Sequence, residues 1–320
     1  MQTQHRRKAT PLMTARIERI MHRTRALRTK LLELVTQAEP EHLAYHPEGR
    51  WSVRDILIHL GNWEEEAVTY LRHMLRGEEP PTTDSSDINK WNAEALARYA
   101  ELDAAGAVEY LNRVRYEYEE AVALITADHM AANRSFLPLL LMSPDHEAGH
   151  LYQVREVLAR AKGDLAEAAL NYLGYARARI LTRINLEYRS TESLEWRAAP
   201  DKWSVRDNLI HLAIWDRWLV EYFAAVADER QRPALPVPPD QFAAWNDVQV
   251  GATRHLTLAE VLHEFGAARE ALEAQIRRFK PAHFDDRAVK AYLDGWREHE
   301  DHHMHAILKV LQGWRAAQKA

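Results

Sequence analysis

The chain has 320 residues, no cysteine, and a formal net charge of −5 from 42 Lys and Arg against 47 Asp and Glu. At about 150 residues per domain this length suggests two domains, and 47% apolar residues is an ordinary globular composition that excludes a disordered or fibrous chain. The absence of cysteine excludes disulfides, iron–sulfur clusters, thiolate zinc sites and a catalytic protein thiol. The mild negative charge gives no nucleic-acid footprint, so we expect no nucleic-acid partner.

The beginning of the chain is basic and polar. Residues 1–13 lack the apolar core of a secretory signal, and we expect them to form a flexible tail. The longest apolar run, at 137–142, is far shorter than the ~18 residues that span a bilayer. We therefore expect a cytoplasmic protein without a membrane partner.

The sequence contains a tandem duplication. Residues 51–63 read WSVRDILIHLGNW and residues 203–215 read WSVRDNLIHLAIW, with ten of thirteen positions identical at an offset of 152. A Trp-Asn pair follows each copy at 91–92 and 245–246, and two histidines four residues apart end each copy. This period is too long for a solenoid. It predicts two copies of one domain, at 14–162 and 166–318, with a junction near residues 161–165.

Each copy has the pattern of four helices. Residues 17–35 carry an apolar stripe with the helical period, and Ser52 to Asp55 has the form of a capping box that starts a second helix. A Pro-rich link then precedes the third helix, at 78–87 in the first copy and at 230–240 in the second. Nothing alternates as a strand would. The predicted fold class is all-α, with two tandem four-helix bundles and a long link between helices two and three of each. The third helices are expected at 107–126 and 258–278, and the fourth helices are expected to end near Ala161 and Trp314.

Three histidines in each copy lie on faces that the helical period places in the core. His59 shares a face with Ile56 and Leu60, and the two late histidines are one turn apart. Each polar group buried without a partner costs ~1–3 kcal/mol, whereas a divalent metal satisfies three imidazoles together and keeps one coordination position open. The alternative is a pair of vestigial polar cores. The predicted metal ligands are His59, His146 and His150 in the first copy and His211, His299 and His303 in the second.

The late histidines also match the HExxH pattern of zinc proteases, in which the glutamate is a general base. The pattern occurs twice, each time with an upstream histidine that completes a set of three, and no sheet is predicted that would bind an extended peptide. We therefore expect Glu147 and Glu300 to face solvent.

Other residues of the repeat have structural interpretations. Asp55 and Asp207 are expected to cap helices rather than to orient a histidine, and Arg54 and Arg206 are expected to pair at the surface. Most tryptophans, such as Trp63 and Trp215, are expected in the core. Trp91 and Trp245 follow the links and are candidates for a cleft mouth, and His302 and His305 are expected to face solvent.

A W-S-x-R-D-x-L-x-H-L helix followed by a late H-x-x-x-H helix resembles the DinB-like superfamily of four-helix-bundle proteins. The resemblance covers both copies and implies that each set of three histidines binds one divalent metal, zinc or nickel. The Trp-Asn pairs are also similar to the branch that includes colibactin self-resistance proteins.

The same resemblance indicates a class of activity. The family includes thiol transferases that use mycothiol or bacillithiol, a maleylpyruvate isomerase and resistance proteins that hydrolyse electrophiles. It implies a metal-dependent enzyme that acts on a small electrophilic substrate by thiol transfer or hydrolysis, in detoxification or resistance. Because the chain has no cysteine, the thiol would be an external low-molecular-weight one. The alternative is a non-enzymatic binding or interaction protein, and in either case we expect the copies to pack as an intramolecular pseudo-dimer.

Overall fold

The computed structural model of the protein describes residues 2–81, 87–133, 135–187 and 190–318, with side chains of the first helix from Thr14 onward. All regular structure in these ranges is helical, which confirms the predicted fold class. The chain divides into two compact units, Met1–Gly163 and Asp164–Ala320. Gly163 ends the first unit with φ +74, a left-handed conformation that favours glycine after a helix. Among the described residues, none of the helices combines the length and apolar content of a membrane span.

The first unit is a bundle of four long helices. The first long helix packs on the fourth, and the second packs on both the third and the fourth. Short helices lie in the connections. In chain order the helices are α1 (Gln2–Gln37), α2 (Pro40–Ala44), α3 (Val53–Leu75), α4 (Ile88–Arg98), α5 (Ala104–Ala123), α6 (Ala127–Ala132) and α7 (Phe136–Ala161).

The second unit repeats this arrangement. Its first long helix packs on the third and fourth, and its second also packs on the third and fourth. The helices are α8 (Leu165–Glu187), α9 (Thr191–Glu195), α10 (Val205–Ala227), α11 (Phe242–Ala252), α12 (Leu258–Ile276) and α13 (Arg287–Ala317), with 3₁₀ turns at Pro239–Gln241 and Pro281–Asp285.

Apolar residues from all four long helices form the core of each unit. This burial is the main stabilising contribution, at about 25 cal/mol per Å² of apolar surface. The fully buried positions include Leu31, Ile56, Leu111 and Leu140 in the first unit, and Ile180, Leu209, Val261 and Ile307 in the second.

Two parts of the chain are more helical than the sequence indicates. The backbone of residues 2–13, predicted as a tail, is continuous with α1, and its flexibility stays a prediction. Each long link contains a helix, α4 or α11, that carries the Trp-Asn pair. These helices were missed because they bury few residues, only Asn92 and Ala95 in α4, and so lack an apolar stripe. Residues 82–86 of the first link lie outside the described residues.

Capping boxes fix the start of the second long helix in both units, as predicted. Ser52 Oγ accepts from the backbone N–H of Asp55, and Asp55 Oδ2 accepts from the backbone N–H of Ser52 at 3.0 Å. Ser204 and Asp207 repeat the box at 2.9 Å and 3.1 Å. Because the helix starts at a defined residue, the histidine two turns later is directed into the bundle.

The approach of α3 to α5 depends on one glycine. A Cβ on Gly61 would lie 2.4 Å from Cε1 of Tyr110, whose hydroxyl donates to Glu65 Oε2 at 3.1 Å. The second unit has Ala213 at the position of Gly61 and Glu264 at the position of Tyr110, so the larger residue there coincides with the loss of the ring.

We expect Gly61→Ala to lower the free energy of unfolding by about 1–3 kcal/mol through overpacking, although alanine is the better helix former by about 1 kcal/mol. Urea denaturation of the full chain measures this. In a Tyr110→Ala background the same change should cost much less, because the ring that obstructs the new methyl group is gone. An equal cost in both backgrounds would contradict the contact.

Candidate metal centres

Three imidazoles of the first unit converge on one point. His59 comes from α3, and His146 and His150 come from successive turns of α7. His146 Nε2 lies 3.0 Å from His59 Nε2 and 3.0 Å from His150 Nε2. One ligand atom from each of the three lies within 4.8 Å of the others, and His59 and His150 are buried. The spacings that predicted a metal site therefore bring its residues together.

The second unit builds the same arrangement from α10 and α13. His211 Nε2 lies 2.9 Å from His299 Nε2, and the ligand atoms of His211, His299 and His303 all lie within 4.8 Å of one another. His302 and His305 on the same helix are exposed, as expected, and belong to neither set.

Burial favours the neutral form of His59, His211, His299 and His303. It lowers the pKa of His211 to about 2, of His303 to about 3 and of His299 to about 4. For His211 and His303 the neighbouring imidazoles act in the same direction. Burial also lowers the pKa of His59 well below its usual value, with His150 adding to the shift. Neutral imidazole is the form that ligates metals.

These pKa values predict how stability depends on pH. A histidine with a folded pKa near 2–4 and an unfolded pKa near 6.5 binds its proton first in the unfolded chain, so stability is lost as pH falls below 6.5. For the metal-free chain we expect the free energy of unfolding to fall by about 1.4 kcal/mol per pH unit for each such histidine between pH 6.5 and about 4.

Urea unfolding in the presence of a metal chelator, at pH 7, 6 and 5, measures this dependence. Carboxylates also titrate near the lower end, so the comparison is with His211→Gln, in which the slope should be shallower. Identical slopes in the two proteins would show that His211 does not contribute.

The spacing of the imidazole nitrogens fits a divalent ion. Ligands at about 2.0–2.1 Å around a tetrahedral centre lie about 3.3 Å apart. Three nitrogen pairs lie 2.9–3.0 Å apart, close to that spacing, and the remaining ligand pairs lie within 4.8 Å. The chemistry of the donor set, three neutral nitrogens with no carboxylate among them, suits zinc or nickel rather than calcium or magnesium.

Amide side chains hold the outer nitrogens of several of these rings. His59 Nδ1–H donates to Asn92 Oδ1 at 3.1 Å, and His150 Nδ1–H donates to Gln153 Oε1 at 2.7 Å. In the second unit His303 Nδ1–H donates to Asn208 Oδ1 at 2.7 Å. Such bonds fix the tautomer whose Nε2 lone pair faces the centre. Local sequence patterns do not indicate these amide partners, although the recurring Trp-Asn pair is a signal for Asn92.

Tryptophans enclose each set of histidines. Trp51 stacks on His150 with ring centroids 6.4 Å apart, and Trp203 stacks on His303 at 6.1 Å. Trp215 is buried, as predicted, whereas Trp63 is only partly buried.

The tryptophans of the links add to these walls. The ring centroid of Trp91, on α4, lies 4.5 Å from that of Trp63, and the ring centroid of Trp245, on α11, lies 5.2 Å from that of Trp215. Both are half-buried, as residues at a cleft mouth would be.

An arginine that recurs at the same position of both copies binds the end of the link helix. Arg54 donates to the carbonyl oxygens of Tyr99 and Ala100, at 2.7 Å and 2.8 Å, just after α4. Arg206 donates to those of Thr253 and Leu256 after α11, at 2.8 Å and 2.5 Å.

The expectation of a surface pair is wrong for Arg206, which is 4% exposed. The reason is that the carbonyls at the end of the link helix need donors. Asp55 and Asp207 cap their helices as predicted, and Asp207 also accepts two bonds from Arg197, each at 2.9 Å.

The prediction that Glu147 and Glu300 face solvent is wrong. They are 1% and 0% exposed. Arg28 Nε donates to Glu147 Oε1 at 2.6 Å and Arg28 Nη2 to Glu147 Oε2 at 2.8 Å, while Arg115 also contacts Glu147, at 3.2 Å. A buried carboxylate requires such partners.

Each unit contains a buried cluster of two arginines and two carboxylates, with one residue from each long helix. In the second unit Arg177 and Arg269 each contact both Asp216 and Glu300, at 2.5–3.2 Å. The charges cancel within each cluster. The first cluster is Arg28, Glu64, Arg115 and Glu147, and the second is Arg177, Asp216, Arg269 and Glu300.

The fold and the two sets of histidines together define a duplicated helical-bundle protein with two candidate three-histidine metal centres. The family model of the DinB superfamily matches residues 23–154 and 172–307, which is more than half of the chain. The chain therefore belongs to the DinB superfamily, whose members often bind metals. No curated protein and no solved structure gives a significant match.

Proposed function

We propose that the protein is a metal-dependent enzyme that acts on a small electrophilic substrate, by transfer of an external thiol or by hydrolysis, in detoxification or resistance. The observation that supports this most is the double convergence of three imidazoles at corresponding positions of the two units. A zinc or nickel ion held there would supply a Lewis acid with an open position, which lowers the pKa of a water molecule or a thiol.

The protein's own residues would bind and orient the reactants. The half-buried rings of Trp51, Trp63 and Trp91 border the first set of histidines, with Trp51 and Trp63 4.6 Å and 6.2 Å from His59. Aromatic walls exclude water and favour a flat or apolar electrophile. In the second unit the ring centroid of Trp203 lies 4.8 Å from that of His211 and the centroid of Trp296 lies 5.6 Å from that of His299, while Trp215 packs on Trp245 and Trp296.

Glu147 is not placed to act as the general base of a protease. Both of its oxygens accept hydrogen bonds from Arg28, and Arg115 adds a third contact. The carboxylate is therefore held in its ionised form, and both of its oxygens already accept hydrogen bonds, so neither is free to take a proton from a water molecule. This supports small-molecule chemistry over peptide hydrolysis, and the absence of cysteine makes any thiol an external partner.

The test uses protein purified without a His tag and loaded with zinc or nickel. It is mixed with a chlorodinitroarene or an epoxide, with and without glutathione, bacillithiol or mycothiol, while substrate and thiol loss are followed. We expect turnover that requires the metal and is lost in the double variant His150→Ala/His303→Ala. Turnover in the thiol-free arm indicates hydrolysis. Metal-loaded protein without turnover in any arm would favour the binding-protein alternative.

A further inference from the structure

We infer that the two centres are unequal and that the first binds a divalent ion more tightly. Asn92 and Gln153 in the first unit and Asn208 in the second are positioning residues, which keep histidines in the ligating tautomer. This inference rests on the proposed function, because it concerns the same two sets of histidines. It identifies the residues outside the ligand set that determine the affinity of each centre for a divalent ion.

The first centre has acceptors for two of its outer nitrogens. Asn92 reaches His59 from the link helix α4, and Gln153 reaches His150 from the next turn of α7. With the proton held on Nδ1, both Nε2 lone pairs face the centre before any ion arrives. His59 and His150 are therefore already in the tautomer that binds a metal.

In the second centre one outer nitrogen, Nδ1 of His303, has an acceptor, and this acceptor lies on a different helix from its counterpart in the first centre. Asn208 on α10 accepts from His303, and Asn208 stands where the first unit has Ile56. In turn Ala306 stands where the first unit has Gln153. These two differences between the copies compensate each other. Either difference alone would give the ring of the second late histidine one acceptor more or one fewer. The same hydrogen bond is therefore made by two unrelated positions.

The other rings of the second centre lack this support. Asn246 occupies the position of Asn92, but its Oδ1 accepts from Trp215 Nε1 at 2.9 Å instead of from His211. Nδ1 of His299 is buried without a hydrogen-bond partner. A proton there would have no acceptor, so it is more favourable on Nε2, directed at His211 Nε2 2.9 Å away. An arriving ion would have to displace it. In the first centre His146 Nε2 lies 3.0 Å from the Nε2 lone pairs of His59 and His150 and carries the corresponding proton, so the two centres differ at His211 and His59 rather than at His299 and His146.

The consequence is a difference in affinity. Loss of one such partner of a ligating histidine typically lowers metal affinity 10–100-fold. We expect the first centre to bind zinc or cobalt about 10–100-fold more tightly than the second, so that the full chain fills in two separate steps.

The experiment is a titration of the full, metal-free chain with Zn²⁺ against a chromophoric chelator, and with Co²⁺ followed by its absorption spectrum. Asn92→Ala should weaken the tighter step about 10–100-fold. The matched control is Asn246→Ala, which should leave both steps unchanged because Asn246 holds a tryptophan. Circular dichroism confirms that each variant is folded.

A second pair of variants tests the compensating exchange. Asn208→Ile should weaken the second step, and adding Ala306→Gln should restore it by rebuilding the first unit's arrangement. Two steps of equal affinity, or an Asn246→Ala effect as large as that of Asn92→Ala, would overturn the inference while leaving the metal centres intact. A chain that takes up neither ion would instead overturn the proposed function.

Discussion

His150→Ala should empty the first centre and leave the second filled, so that the metal content falls from about two ions per chain to about one. His150 supplies one of three ligands, and two imidazoles bind a divalent ion far more weakly than three. The second set lies in a separate compact unit with its own core. Elemental analysis of protein purified without a His tag, after equilibration with zinc, measures the content.

Two comparisons sharpen this result. His303→Ala should give the same loss from the other unit, and the double variant should hold almost no metal. His302→Ala changes an exposed histidine beside His303 and should keep both ions. If His150→Ala released both ions, the centres would not be independent, and if it released none, His150 would not be a ligand.

Glu300→Ala should lower the free energy of unfolding by about 3–5 kcal/mol, because it leaves two buried arginines with one carboxylate, Asp216, and so one buried positive charge without a partner. Glu300 Oε1 accepts from Arg177 and from Arg269, with both Nη2 atoms at 2.5 Å, and the carboxylate is 0% exposed. The change cannot be relieved by solvent, since the cluster lies between all four long helices. Thermal or urea unfolding of the full chain measures the loss.

The matched control is the neighbouring residue. Asp301 pairs with Arg179 at 3.1 Å, but its side chain is 40% exposed, so Asp301→Ala should cost less than about 1 kcal/mol. Replacing all four residues of the cluster by apolar ones of similar size should cost far less than Glu300→Ala alone, because no charge is then left without a partner. Equal losses for Glu300→Ala and Asp301→Ala would show that the cluster is not buried.

The histidine sets could be predicted because their signals are local. Residues four apart on a helix share a face, and the duplication shows the same positions twice. The helical class, the capping boxes and the cap role of Asp55 follow from equally short patterns. Each depends on residues within one or two turns of each other.

The charge clusters could not be predicted in this way. Glu147 meets Arg28 across 119 residues, and nothing in the sequence around either residue indicates that partner. Beside His146, Glu147 has the pattern of a surface residue. A longer-range signal did exist, since Arg28 and Arg115 recur in the second copy as Arg177 and Arg269, at offsets of 149 and 154. Comparing every charged position of the two copies would have found them.

The two clusters have a consequence for how the chain avoids mispairing its own helices. The first and third long helices of each unit contribute arginines, and the second and fourth contribute acids, so a helix exchanged between units would find matching charges. Charge alone therefore gives no protection against the misassembly that threatens tandem copies.

Shape has to provide that protection. Trp296 Nε1 donates to Asp216 Oδ1 at 2.7 Å, whereas the first unit has Ser143 and the longer Glu64 at these positions. If α7 replaced α13, Asp216 would lose its indole donor and a large apolar volume would stay unfilled. If α13 replaced α7, the indole would collide with the longer glutamate. This pair of size differences thus favours each helix's own bundle over its duplicate.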